Sequence, residues 1–509
     1  MDKLLAEGQF PPRWSGDLNL GYGYPLFLFI YPTPAIFGAM MHRLGMNFVD
    51  SVKWVMIISI LMGVFGMYLF LKELFNKHKL ASILGSMFYV YAPVTFVNLY
   101  VSAEVGTIVA MGILPFVFWS IVAHQNKNRQ SLPIGAVSLA ILITSHNITA
   151  LIFAPVILIF SLILVLQSND KLELSKHILS ILILGVGLSA FFWFPAIIER
   201  KYILYDVIMK NFWLKRFADF WQIIIPSWGY GLSYPSTKDS VSHQIGVVHI
   251  AIFTLLLVVT PFLRKNRKFL TWSLFVILFS LIGFYLMQSI SRPIWETLPL
   301  LYLVQFPPRF LILIIFSLSI GTALLIKYLP FNKVMFIILL ISIIWANWGY
   351  LSTNKKIDVS DNYSIFLNDS TTAFNEHLPR WAYVPENPSN DKIIILNGSG
   401  TVSVVKNTSV DVVANIDMPL DGQIRFNQFY FPGWKYTIDG KPVEYSYSSS
   451  HENRGLPLFN IASGRHEFIA IFEDTLDRKI SDLISEISLI VLLGLTIFGC
   501  VQKNKYGGP

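Results

Sequence analysis

The stretch Gln305-Phe-Pro-Pro-Arg309-Phe-Leu-Ile-Leu-Ile-Ile-Phe-Ser-Leu-Ser-Ile-Gly-Thr-Ala-Leu-Leu-Ile-Lys-Tyr328 carries no charge between Arg309 and Lys327. A helix needs about 20 mostly apolar residues to cross a hydrocarbon core of about 30 Å, and this run supplies them. The paired prolines suit a helix N-terminus, with Arg309 in its first turn. Apolar runs near spanning length also occur at about 51–73, 80–100, 104–123, 132–146, 148–167, 175–199, 245–263, 268–288, 333–351 and 482–502. With 309–328 they predict a polytopic helical bundle of about eleven spans. The run at 132–146 is short and reads as a hairpin with its successor. Tyr24 to Met41 is broken by Pro25, Pro32 and Pro34 and reads as a re-entrant or interfacial element.

Composition agrees. The chain has 509 residues, 54% hydrophobic and 14% charged, with mean hydropathy +0.56; soluble chains carry about 25% charged residues. The single cysteine, Cys500, excludes an intramolecular disulfide and a cysteine-based metal cluster. A net charge of +8 does not call for nucleic acid, because most basic clusters sit between apolar runs, where topology accounts for them. Met1 to Phe10 do not read as a cleavable signal peptide.

Those clusters set an orientation. Lys72, Lys77 and Lys79, then Lys127 and Arg129, then Arg264, Lys265, Arg267 and Lys268, and finally Lys503 and Lys505 are all expected in the cytoplasm. Residues 1–50, 200–244 and 352–478 then lie outside. Arg200, Lys201, Lys210, Lys215 and Arg216 are an exception on the outer side, which a function would explain. With the first fifty residues outside and no span before them, a first helix missing from the chain is expected.

Four regions follow: 1–50, an outer loop with the re-entrant or interfacial helix; 51–351, the membrane core; 352–478, a different material; and 479–509, a last span with a cytoplasmic tail. In 352–478 the apolar runs stop and short alternating segments appear at Thr401–Val405, Ser409–Ile416, Gln423–Phe431, Trp434–Ile438, Leu456–Ile461 and His466–Phe472. Asp439-Gly440 reads as a hairpin turn, and the strand spacing predicts an extracytoplasmic β-sandwich. Phe429, Tyr430, Phe431 and Trp434 read as packing residues rather than a sugar platform. The sequons at Asn362, Asn368, Asn397 and Asn407 fit an exposed surface, though in so Asn- and Ser-rich a segment chance explains them equally.

Polar residues gather at outer span ends. The opening loop, Gly8 to Phe27, carries Arg13, Trp14, Asp17, Asn19, Tyr22 and Tyr24 among Gly16, Gly21 and Gly23, which allow a ligand close to the backbone. An ordinary interfacial loop, with Trp and Tyr at the headgroups, is the other reading. Glu104 opens a span, His146 and Asn147 sit at a hairpin tip, Glu199 and Arg200 end a span, and Gln305 to Arg309 open another. Each alone reads as an interfacial anchor. Their convergence on one face predicts an outward cavity with acidic, basic and aromatic walls.

Gly8-Gln-Phe-Pro-Pro-Arg-Trp14 followed by Gly21-Tyr-Gly-Tyr-Pro25 resembles the opening of the bacterial and archaeal family named "6-pyruvoyl-tetrahydropterin synthase-related" membrane proteins. Ser145-His-Asn147, Phe191-Phe-Trp-Phe-Pro-Ala196 with Glu199, and Gln305-Phe-Pro-Pro-Arg309 are similar to its later blocks. Phe429-Tyr-Phe-Pro-Gly-Trp434 and Asp439-Gly-Lys441 resemble the outer domain of envelope glycosyltransferase-like proteins. No zinc-ligand pattern for pterin chemistry is present. The architecture looks like the GT-C superfamily, polytopic glycosyltransferases that use polyprenyl-phosphate sugars on the outer face. The chain departs from that superfamily in lacking the catalytic Asp that follows the first span, with only Asp2 and Asp17 nearby. Ser102-Ala103 and Thr107 stand where the family shows Arg-Gly and Glu, with Glu104 offset.

The resemblance implies inverting sugar transfer to a cell-envelope glycan or polymer. A carboxylate orients or deprotonates the acceptor and cations stabilise the departing lipid phosphate. Arg309 is the first choice for the phosphate, since guanidinium binds phosphate bidentately; Arg200 and Lys201 follow, and Arg13, His146, Asn147 and Gln305 join the substrate site. Trp14, Tyr22 and Tyr24 are expected to stack on a sugar, and Asp17, Glu104 and Glu199 are the candidate carboxylates. No protein metal site or cofactor is called for by the residues, and a divalent metal stays open. The partners implied are membrane lipid, a polyprenyl-phosphate-linked sugar and the acceptor polymer. Two rivals are a lipid-linked saccharide transporter, which should show polar residues at mid-span, and a non-catalytic envelope factor binding glycan through 352–478.

Overall fold

The structure is a computed structural model that describes residues 1–125, 128, 130–231, 241–330, 332–351, 353, 374–447 and 453–506. Asn362, Asn368, Lys127 and Arg129 lie outside the described residues. The chain is mainly helical with two antiparallel sheets. It divides into two compact units, one of Met1–Asn47, Ala190–Lys210 and Val359–Ser485, the other of Phe48–Ser189, Asn211–Asp358 and Glu486–Pro509.

Every apolar run named above forms helix. Seven helices among the described residues are long and apolar enough to cross a membrane: Phe48–Leu74, Val105–Gln125, Asn147–Gln167, Arg267–Met287, Pro307–Tyr328, Asn332–Tyr350 and Leu476–Phe498. Two further runs are pairs of helices bent at a break, Lys79–Val90 with Pro93–Tyr100 and Lys171–Leu188 with Ala190–Tyr202, and Ser131–Ser145 and Val247–Leu263 are shorter. Pro93 explains the first break, since it disfavours helix in the residue before it. These helices are compatible with a multi-pass membrane protein.

Phe316 sits at the heart of the helical unit, with ring centroids of Phe118 at 4.6 Å, Phe153 at 5.3 Å and Phe70 at 6.0 Å. Close helix approach relies on small residues. A Cβ on Gly112 would stand 2.4 Å from the Ser59 carbonyl oxygen.

Among the described residues the other unit holds nine strands: β1 Ile393–Asn397, β2 Thr401–Asn407, β3 Asp411–Met418, β4 Gly422–Phe426, β5 Trp434–Ile438, β6 Lys441–Pro442, β7 Ser446–Tyr447, β8 Pro457–Ile461 and β9 Gly464–Phe472. One sheet runs β1-β4-β8-β7 and the other β2-β3-β9-β5-β6, with every pairing antiparallel. Alternation drives the packing, as the two-residue period of a strand requires. Val412, Ala414, Ile416 and Met418 of β3 are buried, as are Ile424 and Phe426 of β4 and Phe468 and Ala470 of β9, in one shared core. Asp439 and Gly440, at φ 50° and 73°, turn β5 into β6, as their pairing in sequence predicts.

Two distant segments complete this core. Trp14, Tyr24 and Leu28 of the opening stretch and Ile203 are buried within it. Phe429, Phe431 and Trp434 are buried there too, as the packing reading expects, whereas Tyr430 is only half-buried.

Candidate functional site

The opening loop is part of the β unit's interior. Trp14 is fully buried, donates from Nε1 to Gln428 Oε1 at 3.0 Å, and meets Trp434 edge-on at 5.7 Å. Tyr24 is fully buried, and Tyr22 lies against Phe429 at 5.7 Å. The expectation that Trp14 and Tyr24 stack on a sugar is therefore corrected: neither ring has a free face. The glycines serve the same packing. A Cβ on Gly23, at φ +83°, would lie 2.5 Å from the Trp14 ring, and one on Gly16 would lie 2.9 Å from Ser409 Cα. Lys392 Nζ and Gln428 Nε2 both donate to the carbonyls of Gly16 and Gly21, fixing the loop from the far side.

The charged residues of this unit have protein partners. Arg13 donates from Nη1 to the Phe191 carbonyl at 2.7 Å and pairs through Nη2 with Asp482 at 2.6 Å. Glu199 is held by Arg478 Nη2 at 2.8 Å, with Thr475 on its other oxygen at 3.1 Å. Both side chains of that pair are almost wholly excluded from solvent. Asp17 pairs with Lys3, Arg200 lies 3.1 Å from Asp206, and the Lys201 ammonium lies over the Tyr202 ring at 5.0 Å. Nothing in the sequence near Glu199 announced Arg478, nearly three hundred residues later.

A different constellation forms in the helical unit. Glu104 precedes the helix Val105–Gln125 and accepts a hydrogen bond from the Thr107 hydroxyl at 2.7 Å. His146 caps the helix Asn147–Gln167: its Nδ1 accepts from the Thr149 amide at 3.3 Å and lies 2.6 Å from the Thr149 hydroxyl. With Nδ1 accepting, the proton of a neutral ring stands on Nε2, which lies 3.5 Å from the Thr107 hydroxyl. A carboxylate, a hydroxyl and an imidazole thus form a series. Thr107 entered the sequence reading only as a departure from the family's Glu, and Thr149 was given no role, because a threonine in an apolar helix carries no signal of its own. Asn147 is exposed at the first helical position.

Arg309 stands in the same unit: it donates to Val304, and the turn Leu301–Val304 packs against the helix that His146 caps. It precedes the helix Leu311–Tyr328, in the turn Pro307–Phe310. Its Nη1 donates to the Val304 carbonyl and to Gln305 Oε1, each at 2.9 Å, and its guanidinium lies over Phe306 at 5.0 Å. Nε is buried and has no hydrogen-bond partner among the described residues. No carboxylate among them pairs with Arg309 either. Glu104, His146 and Arg309 thus each stand at the start of a long helix of this unit, where the macrodipole places a partial positive charge. The arrangement suits an anion, with a carboxylate and an imidazole in the same unit.

Two more features belong to this unit. A cavity of about 160 Å³, lined by Ile245, Ile250, Phe253, Phe284, Ile314 and Leu318 among others, includes residues of the helix that follows Arg309. Among the described residues no group of three His, Cys, Asp or Glu side chains is placed to hold a metal ion. Asp17 and Arg309, expected to share a cavity, belong to different compact units.

The chain is 26% identical over 222 residues to an uncharacterized protein of Lactococcus lactis subsp. cremoris (strain MG1363). The matched region is 41% of this chain and 35% of that relative, so the chain spans about a third of the relative's length. No family model and no solved structure matches the chain.

Proposed function

We propose that this chain is a membrane glycosyltransferase-like protein that moves a sugar from a polyprenyl-phosphate donor to a cell-envelope acceptor on the outer membrane face. The observation that carries this reading is Arg309, unpaired by any described carboxylate, at the N-terminal end of a long apolar helix in the unit that also holds Glu104, Thr107 and His146. A lipid phosphate there gains a guanidinium and the positive end of a helix dipole, while its chain runs along apolar helices. In the reaction the acceptor oxygen bonds to the anomeric carbon as the bond from that carbon to the phosphate oxygen breaks. The phosphate leaves with the electron pair, and the acceptor proton passes to the Glu104 carboxylate. Glu104 takes this role rather than Asp17 or Glu199, which are engaged by Lys3 and Arg478.

Sidedness rests on the basic loops. Lys72, Arg264, Lys265, Arg267 and Lys268 lie at helix ends opposite, along the chain, to those bearing Glu104 and Arg309. The unit of Met1–Asn47, Ala190–Lys210 and Val359–Ser485 takes most of its residues from the segments expected outside, 1–50, 200–244 and 352–478. The resemblance to the 6-pyruvoyl-tetrahydropterin synthase-related membrane proteins supports the same reading.

The test is binding of a polyprenyl phosphate to the full chain in nanodiscs. Arg309→Ala should abolish it with the fold intact, and Arg309→Lys should keep part of it, because charge survives while the fork is lost. Unchanged binding in both would leave Arg309 as a headgroup anchor and end the proposal.

A further inference from the structure

The β unit carries a cluster of aromatic residues that the reading above does not use. Tyr430 and Tyr447 stack face to face, centroids 4.8 Å apart and 11° between planes. Trp381 lies against both, at 5.6 Å and 5.8 Å. Tyr445 meets Tyr430 at 5.4 Å and the core ring of Tyr436 at 5.0 Å, and Tyr202 closes the far end at 6.1 Å from Trp381. These rings come from separate elements: the turn after Glu199, the segment before β1, the loop after β4, strand β5, and the stretch leading into β7.

Packing alone does not explain the arrangement. Tyr445 and Tyr447 are 37% and 41% exposed, although both belong to a continuous run of rings that reaches the core. Trp381 donates its indole hydrogen to the Tyr430 carbonyl at 2.7 Å, which fixes the indole. The hydroxyls are also grouped. Burial, and then the neighbouring Tyr445 hydroxyl, push the Tyr430 phenol up from its ordinary value. The Tyr436 hydroxyl is buried and has no partner among the described residues.

The chemistry selects a ligand class. Ring faces take apolar C–H surface, and phenol hydroxyls both donate and accept. None of the six side chains is charged near neutral pH. The neighbouring guanidinium of Arg425 is engaged by Asn427 at 2.8 Å and Asn453 at 2.5 Å. The Lys201 ammonium lies over the Tyr202 ring at the far end of the cluster; among the described residues no cation is placed over Tyr430, Tyr445 or Tyr447 to meet a phosphate or an acidic polymer, and a lipid chain would leave the hydroxyls unmet. A pyranose has C–H faces and a rim of hydroxyls. We infer that Trp381, Tyr430, Tyr445 and Tyr447, backed by Tyr202 and Tyr436, form a binding platform for a neutral saccharide. This site lies wholly in the β unit and does not depend on the reading of Arg309.

The experiment titrates the full chain in nanodiscs with soluble neutral oligosaccharides of glucose, galactose, rhamnose and N-acetylglucosamine, read by saturation-transfer NMR. At least one should saturate. Tyr445→Ala and Tyr447→Ala should each weaken it roughly tenfold, the equivalent of one aromatic contact. Tyr445→Phe, which keeps the ring and removes the hydroxyl, should cost roughly threefold and covers the case in which an alanine variant fails to fold. Arg309→Ala should leave saccharide binding unchanged, so this site and the phosphate site fail separately. Saturation by none of the four, or full binding by a folded Tyr445→Ala/Tyr447→Ala chain, would overturn the inference.

Discussion

Gln305 Oε1 accepts a hydrogen bond of 2.9 Å from Arg309 Nη1, and the backbone of Gln305 is contorted at the same place. Its φ of 64° and ψ of −48°, with the Phe306 amide 2.7 Å from the Val304 carbonyl, make a γ-turn of the rare positive-φ kind. Such a residue costs about 1–3 kcal/mol. Gln305→Gly should therefore melt no lower than the parent, yet bind polyprenyl phosphate about tenfold more weakly, because the guanidinium loses its brace. Parallel loss of melting temperature and binding would make Gln305 merely structural.

Glu199 and Arg478 offer the opposite case. Removing one partner of a buried pair leaves the other charge stranded, at about 3–5 kcal/mol. Glu199→Gln should lower the unfolding midpoint of the β unit accordingly, and Glu199→Leu with Arg478→Met should recover much of the loss. Should Glu199→Gln keep full stability and abolish sugar transfer, Glu199 would return as the reacting carboxylate.

Trp14 should behave as a core residue. Trp14→Ala is expected to destabilise the β unit by about 3–5 kcal/mol, visible as early proteolysis of that unit. Trp14→Phe should lose less, since it keeps the contacts to Phe472 and gives up the bond to Gln428. Selective loss of saccharide or lipid binding by a stable Trp14→Ala chain would contradict this.

His377 gives the β unit a pH dependence. The ring is buried, stacked on Phe29 at 5.8 Å and Tyr205 at 5.9 Å, and burial pushes it down to about 3. The unfolded chain binds this proton below about 6.5, whereas the folded chain refuses it until about 3. Stability is thus full above that upper value and falls as pH drops between the two, by roughly 1.4 kcal/mol per pH unit. Denaturant titrations at pH 7.5 and 5 should show the loss in the parent and a smaller one in His377→Leu. Equal slopes would assign the effect elsewhere.

What could be read beforehand was whatever depends on near neighbours. Apolar runs such as 309–328 become helices because length and composition suffice, and Asp439-Gly440 turns because its backbone preference is local. The opening loop misled for the same reason. Gly16 and Gly23 suggested room for a ligand, but the room is taken by Ser409 and by Trp14 itself, and no local pattern reveals that. Glu199 and Arg13 looked available only because Arg478 and Asp482 lie so far along the chain. The trio of Glu104, His146 and Arg309 was legible as residues at helix starts, and Thr107, which links the first two, was not.

The bond between Trp14 and Gln428 joins residues 414 positions apart. At synthesis rates of about 5–20 residues per second, roughly 20–80 s separate their emergence. For that interval the indole has no cavity to enter, while helix after helix is made. The β unit is thus closed late, by a segment made long before, and a ribosome stalled short of Gln428 leaves an aromatic loop open to chaperones and proteases.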